Sequence, residues 1–154
     1  MKHQSDDFLA ERFESPDALA SLHAKCFEAA PRPWSASEFK SLLSTNGVHL
    51  VARPGGFALC RVTGPEAELL TIAVDPIRRR EGLGRRLLRD LELRLRDLGA
   101  EEIFLEVAET NIAARSLYAD SSFQTVGHRR GYYRTEAGDE VDAMILSKVL
   151  APKN

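Results

Sequence analysis

Residues 70–86, LTIAVDPIRRREGLGRR, concentrate the residue types that hold an anion. Gly82 and Gly84 lie between an apolar segment and the start of a periodic leucine pattern. Glycine lets the backbone approach a ligand closely, and the first amides of a helix are donors without intrahelical partners. They sit at the positive end of the helix dipole, so the pair forms a site suited to a phosphate or pyrophosphate. Arg78, Arg79, Arg80, Arg85 and Arg86 crowd the same end, where each positive charge is disfavoured by roughly 0.3 kcal/mol or more. A bound anion offsets that penalty; taken alone, the arginines also suit a solvated basic turn.

Two familiar phosphate loops fit poorly. A Walker loop is excluded because no GK[ST] follows the glycines. A dinucleotide fingerprint finds Gly82 and Gly84, and Glu106 at the end of the next strand could mimic the ribose-binding acid. Its third glycine position is Leu87, too bulky for close helix–strand packing, and the arginines precede the glycines. The alternation of helices and parallel strands that such a domain needs is missing elsewhere.

The segment Arg79-x-x-Gly82-x-Gly84, following the strand pattern of residues 70–74, resembles the coenzyme A pyrophosphate motif of GNAT-type N-acetyltransferases. The resemblance extends over nearly the whole chain: Pro33-Trp34-Ser35, Ile72-Ala-Val-Asp-Pro76, Leu105-Glu-Val107, Asn111, Leu117-Tyr118, Arg129-Arg130-x-Tyr132-Tyr133 and Asp142-Ala143. This ordered set is similar to the RimI-like branch, which acetylates the N-terminal alanine of a small-subunit ribosomal protein. The resemblance implies acetyl-CoA as cosubstrate and a protein N-terminus as partner. It implies that backbone groups of Ile72, Ala73 and Val74 hold the pantetheine arm and acetyl carbonyl. It implies that amides of Arg79, Arg80, Glu81, Gly82, Leu83 and Gly84 hold the pyrophosphate, and that Asn111 hydrogen-bonds the coenzyme. Glu106 would be the general base and Tyr118 the general acid at sulfur; Trp34, Tyr132 and Tyr133 would line the peptide groove. For these three aromatics, core packing and cross-strand pairing are equally open.

Acetyl transfer to an amine needs a neutral nucleophile and a proton for the departing thiolate. An α-amino group, pKa ~7.7–8.0, is roughly one-tenth neutral at pH 7, whereas lysine at ~10.4 is harder by about 3.4 kcal/mol. One carboxylate therefore suffices for an N-terminal substrate. A phenol, pKa ~10, stays protonated and can donate to a thiolate whose conjugate acid lies near ~8.5. Tyr118 follows Asn111 by two helical turns, so both side chains share a face. One segment and two positions depart from the family pattern, the segment being residues 28–33, longer than usual before Trp34. Glu81 puts a carboxylate inside the phosphate loop, which is tolerable only if it points outward. Ser122 stands where relatives commonly carry glycine, and predicts a serine at positive φ.

The elements that must position these groups alternate between strands and helices. Residues 8–13 read as a short strand. Ser15-Pro16 opens a helix to about residue 28, and residues 29–34, with Pro31 and Pro33, read as a loop. Ser35 with Glu38 forms a capping box for a second helix through Leu43. Strands follow at 48–52, 57–62 and 68–74, separated by Pro54-Gly55-Gly56 and Gly64-Pro65. Leu83, Leu87, Leu88, Leu91, Leu95 and Leu98 fall on one helical face, and Gly99 ends that helix. A strand at 103–107, a short helix at 111–120 and a strand pair at 123–133 and 141–149 complete the chain. Short turns join most neighbouring strands, so the pattern predicts an α/β (α+β) sheet, mainly antiparallel, with residues 68–74 and 103–107 parallel. The resemblance implies the GNAT fold: a twisted sheet of about seven strands, four helices and one splayed parallel pair.

The whole chain of 154 residues reads as a single domain. A hydrophobic share of 44% is ordinary for a soluble globular protein, and a net charge of −2 gives no global attraction for nucleic acid or an anionic membrane. Cys26 and Cys60 are too far apart in sequence for a CxxC site and read as free thiols in a reducing compartment. With an acidic N-terminus and no long apolar run, the expected address is the cytoplasm. His3, His23 and His49 form no spaced ligand set, so no metal is expected, and His128 reads as structural.

Overall fold

The computed structural model describes residues 15–27 and 32–152. The strand expected over residues 8–13, and much of the loop expected over 29–34, lie outside the described residues. Helix α1 (Pro16–Cys26) starts as its sequence dictates: Ser15 Oγ accepts from the Ala18 amide at 3.2 Å and proline occupies the first turn. Helix α2 (Ala36–Leu43) begins with the expected capping box, Ser35 Oγ taking the Glu38 amide and Glu38 taking the Ser35 amide.

Strands β1 (Val48–Arg53), β2 (Gly56–Thr63) and β3 (Glu66–Val74) form an antiparallel meander. A 3-10 turn (Pro76–Arg78) leads to helix α3 (Leu83–Asp97) and strand β4 (Glu102–Ala108), which runs parallel to β3. Helix α4 (Ile112–Asp120) and strands β5 (Gln124–Arg134) and β6 (Glu140–Val149) follow. The described strands make one six-stranded sheet in the order β1-β2-β3-β4-β6-β5. This is the mixed, mainly antiparallel architecture expected, with four described helices.

Alternation along β2 divides the core. Ala58 and Cys60 face the α3 leucines, while Phe57 and Leu59 join Leu19 and Phe39 beneath α1 and α2. Leu83, Leu87, Leu88, Leu91 and Leu95 are buried as the period predicts, but Leu98 is 43% exposed. The helix ends at Asp97, and Leu98 lies in its cap, off the apolar stripe. Gly99 (φ +85) follows, and the Ala100 amide reaches back to Leu95 O at 2.9 Å.

Helix α4 ends in the same way with a different residue. Phe123 N–H donates to Tyr118 O at 3.0 Å and Ser122 N–H to Ala119 O at 3.1 Å, the paired bonds of a Schellman motif. Ser122 holds the left-handed position at φ +70, where glycine is the usual occupant. The motif stacks Phe123 edge-on against Tyr118, ring centroids 5.5 Å apart.

Under α1, His23 is the hub of the second core. Its Nδ1 accepts the Trp34 backbone amide at 3.0 Å, which leaves the proton on Nε2 to donate to Thr71 Oγ1 at 3.0 Å. Phe27 and Trp34 stack on the ring and Phe39 meets its edge. Burial holds its pKa down to about 4, against a small opposing pull from Glu38. The unfolded chain therefore binds a proton that the folded chain refuses between about pH 6.5 and 4. Stability is complete above that window and falls as pH drops through it.

Two outcomes follow for chemical denaturation. Ser122→Gly should stabilise the fold by about 1 kcal/mol by relieving the left-handed serine; an unchanged midpoint would contradict the strain. His23→Gln should be less stable at pH 7, yet lose about 3 kcal/mol less than wild type between pH 7 and 4. Parallel pH dependences would show that His23 is not the group refusing the proton.

Candidate active site

Strands β3 and β4 share a parallel ladder only from Glu66↔Glu102 to Leu69↔Leu105. Beyond it β3 continues to Val74 and β4 to Ala108, each paired only on its outer edge, to β2 and β6. A cleft opens between them. Of the expected site residues, Trp34, Ile72, Glu106, Asn111, Tyr118 and Tyr133 line it, joined by His23 and Thr71. Ala73 lies buried in the second core cluster, so Ile72 is the member of its trio whose side chain reaches the cleft.

The glycine-arginine loop is built as an anion cradle. Arg80 and Gly82 take left-handed φ values of 69° and 77°. The amides of Gly82, Leu83, Gly84 and Arg85 have no acceptor among the described residues, as the first turn of α3 requires. Arg78 braces the loop, its Nη1 donating to Pro54 O at 3.0 Å and its Nε lying 3.3 Å from Glu81 Oε2. The Glu81 carboxylate is thus tied sideways to Arg78 and half-exposed, which meets the condition set by its place in the sequence. Arg86 closes the other side, donating from Nη2 to Glu81 O at 2.7 Å. Gly84 serves packing: a Cβ there would stand 3.0 Å from Leu117 of α4. Leu83 is buried and anchors the helix start, while Arg79 and Arg80 are exposed. Free helix amides, left-handed turns and exposed guanidinium groups fit a pyrophosphate.

Across the cleft, Asn111 caps α4, its Oδ1 accepting from the Ala114 amide at 3.2 Å, which leaves its amide nitrogen to donate to a ligand. One face of α4 carries both Asn111's cap and Tyr118, as the seven-residue spacing predicts. Tyr118 is buried, and burial pushes its phenol well above the ordinary value, with the neighbouring Tyr133 adding to the effect. It remains a proton donor at any physiological pH. Glu106 sits on β4 opposite Ile145, with a quarter of its side chain exposed.

The tyrosine pair divides. Tyr133 lines the cleft, its pKa raised to about 12 by burial and by the Glu106 charge. Tyr132 is 48% exposed and lies outside it, edge-on to Tyr133 at 5.0 Å, with its pKa raised chiefly by the Glu106 charge. Trp34 packs on His23, as core packing requires, and also lines the cleft.

Some residues gathered here carried no functional expectation. His23 and Thr71 wall the cleft, and Arg129 Nε lies 3.4 Å from Glu106 Oε1. In the sequence Arg129 stands out only as part of the Arg129-Arg130-x-Tyr132-Tyr133 motif. His128 stands 3.2 Å from Asp142 Oδ2 and 4.0 Å from Glu109 Oε2; these three could hold a metal ion by position, although no histidine spacing announced them. Asp142 Oδ1 accepts the Gly131 amide at 2.8 Å, so the aspartate also braces the irregular stretch that carries Tyr132.

Comparison with known proteins agrees with this geometry. The model of the Acetyltransferase (GNAT) family matches residues 16–123. The chain is 37% identical over 138 residues to the [Ribosomal protein bS18]-alanine N-acetyltransferase of Escherichia coli K12, covering 87% of this chain and 92% of that one. It is 39% identical over 129 residues to the N-alpha-acetyltransferase RimI of Mycobacterium tuberculosis H37Rv, covering 78% and 79%. The crystal structure of the ribosomal-protein-S18-alanine N-acetyltransferase from Escherichia coli superposes with a TM-score of 0.74 at 30% identity, covering 100% of this chain and 94% of that chain. An Arabidopsis thaliana NAA60 in complex with acetyl-CoA shares the fold, with a TM-score of 0.75 at 18% identity and coverage of 88% and 93%. The chain belongs to the GNAT family of acetyltransferases and is an acetyl-CoA-dependent N-acetyltransferase.

Proposed function

We propose that this enzyme acetylates the N-terminal α-amine of a protein, its natural acceptor being the N-terminal alanine of a small-subunit ribosomal protein. The observation that carries the reading is the convergence of Glu106 and Tyr118 on one cleft, opened where β3 and β4 part. The relatives at 37–39% identity, whose names specify alanine or N-alpha acetylation, support the choice of amine.

The amides between Arg79 and Gly84 hold the pyrophosphate of acetyl-CoA at the start of α3. Backbone groups of Ile72, Ala73 and Val74 take the pantetheine arm and acetyl carbonyl, and Asn111 donates its amide to the coenzyme. Acetyl-CoA supplies an activated acyl group on a thiol leaving group. Glu106 accepts a proton as the amine nitrogen bonds to the acetyl carbon. Tyr118, kept protonated by its burial, donates to the sulfur as the C–S bond breaks. Its raised pKa makes the phenol a hydrogen-bond donor to developing thiolate more readily than a free acid. Trp34, Tyr132 and Tyr133 flank the cleft mouth and hold the first residues of the peptide, excluding water from the amine.

Short peptides beginning with alanine, serine or a blocked alanine test the substrate, with mass spectrometry locating the acetyl group. Acetylation of the α-amine of the alanine peptide, and none of the blocked one, is expected. Modification of lysine side chains or small amines alone overturns the α-amine reading, and acetyl-CoA binding without turnover on any acceptor overturns the catalytic one. Tyr118→Phe and Glu106→Gln should each lower kcat by about 10²-fold or more with little change in acetyl-CoA affinity. Unimpaired turnover removes the residue from its role.

A further inference from the structure

Strand β6 lies between β4 and β5, so Arg129 on β5 must cross a whole strand to meet Glu106 on β4. It does so on the face where Gly127 pairs with Ile145, and its Nε stops 3.4 Å from Glu106 Oε1. Tyr132 folds back beneath it: the guanidinium carbon lies 5.1 Å from the ring centroid, and the phenol is near enough to Glu106 for that charge to raise its pKa. A guanidinium, a phenol and the carboxylate thus form one assembly at the cleft mouth. We infer that Arg129 is a specificity-determining residue, whose fixed positive charge beside Glu106 disfavours a protonated amine and makes the bound acceptor neutral at lower pH. The inference rests on Glu106 being the proton acceptor.

Arg129 engages Oε1, which leaves Oε2 for an amine proton. With an ordinary hydrogen bond to Oε2, an amine there would lie roughly 6 Å from the guanidinium centre. At effective dielectric constants between 20 and 80, a unit charge at that distance lowers the pKa of an ammonium by about 0.5–2. An α-amine of pKa ~8 then becomes largely neutral near physiological pH, whereas lysine at ~10.4 stays mostly charged. The other ionisable groups around the spot are Glu66 and Glu68 of β3 and Arg61 of β2, which line the groove shared with Arg129, together with Tyr118, Tyr132 and Tyr133. His23 faces the cleft from α1 in neutral form, and β6 contributes Ile145. Arg61 and Glu68 are register partners of opposite sign and Glu66 adds a negative charge to the groove, so Arg129 is the positive group in direct contact with Glu106.

The test is the pH dependence of kcat for wild type, Arg129→Gln and Arg129→Lys with saturating peptide, since kcat reports ionisations of the bound complex. The rising limb should move up by about 0.5–2 pH units in Arg129→Gln, a roughly 3- to 100-fold deficit on the limb that closes at alkaline pH. Arg129→Lys should keep the wild-type limb. An acceptor with a less basic amine should move all limbs down together. A deficit constant across pH, or none, overturns the inference. If Arg129→Gln does not fold, wild type at rising ionic strength decides: screening should raise the limb, and an immobile limb is the contrary result. Glu106→Gln keeps the two claims apart. Full activity there removes the base and this inference with it, whereas an impaired Glu106→Gln beside a pH-independent Arg129→Gln removes the role of Arg129 alone.

Discussion

The parting of β3 and β4 after four paired residues is the constraint on which the rest depends. A parallel pair that stops hydrogen-bonding mid-sheet leaves backbone donors and acceptors on both inner edges, and such groups need partners. The fold keeps the strands apart by holding each from its far side. β3 stays paired to β2 as far as Val74↔Gly56, and β4 to β6 as far as Ala108↔Ala143. Leucines of α3 pack one face, and the aromatic cluster around His23 packs the other. The open edge of β3 is a strand awaiting a partner, and an extended amide-bearing arm such as pantetheine has the matching chemistry.

The same strand delivers the chain to the second half of the site. After Val74, a capped 3-10 turn and two left-handed residues swing the backbone so that α3 begins with its amides free. Arginines would repel one another at that end of a helix, so the loop spends them differently. Arg78 and Arg86 brace the loop, and Arg85 leans toward Asp120 at 3.7 Å. Arg80 is left without a partner among the described residues. An anion at this turn would meet amides first and the Arg80 guanidinium second.

Much of this was legible in the sequence because the signals are local. The capping box at Ser35, the leucine stripe of α3, the glycine turn that opens α3 and the positive φ of Ser122 each follow from a few neighbouring residues. Leu98 was misplaced because a stripe read by period alone does not show where a helix is capped. What the sequence hid is non-local. The divergence of β3 from β4 depends on pairing with two other strands. Arg129 meets Glu106 only because β6 inserts between β4 and β5, and no spacing along the chain encodes that order. His23 reads as an isolated histidine in the sequence, yet its two nitrogens join the Trp34 backbone to Thr71, which lies 48 residues beyond His23 itself.

Amide hydrogen exchange, read segment by segment with and without acetyl-CoA, tests the central claim most directly, since it reports on the open strand edge and the free helix amides together. Binding should slow exchange in residues 71–75 and 79–85, with bare coenzyme A protecting the second segment and the amides of β3 that take the pantetheine arm. Protection confined to other parts of the chain, or none at saturating cosubstrate, would contradict the account.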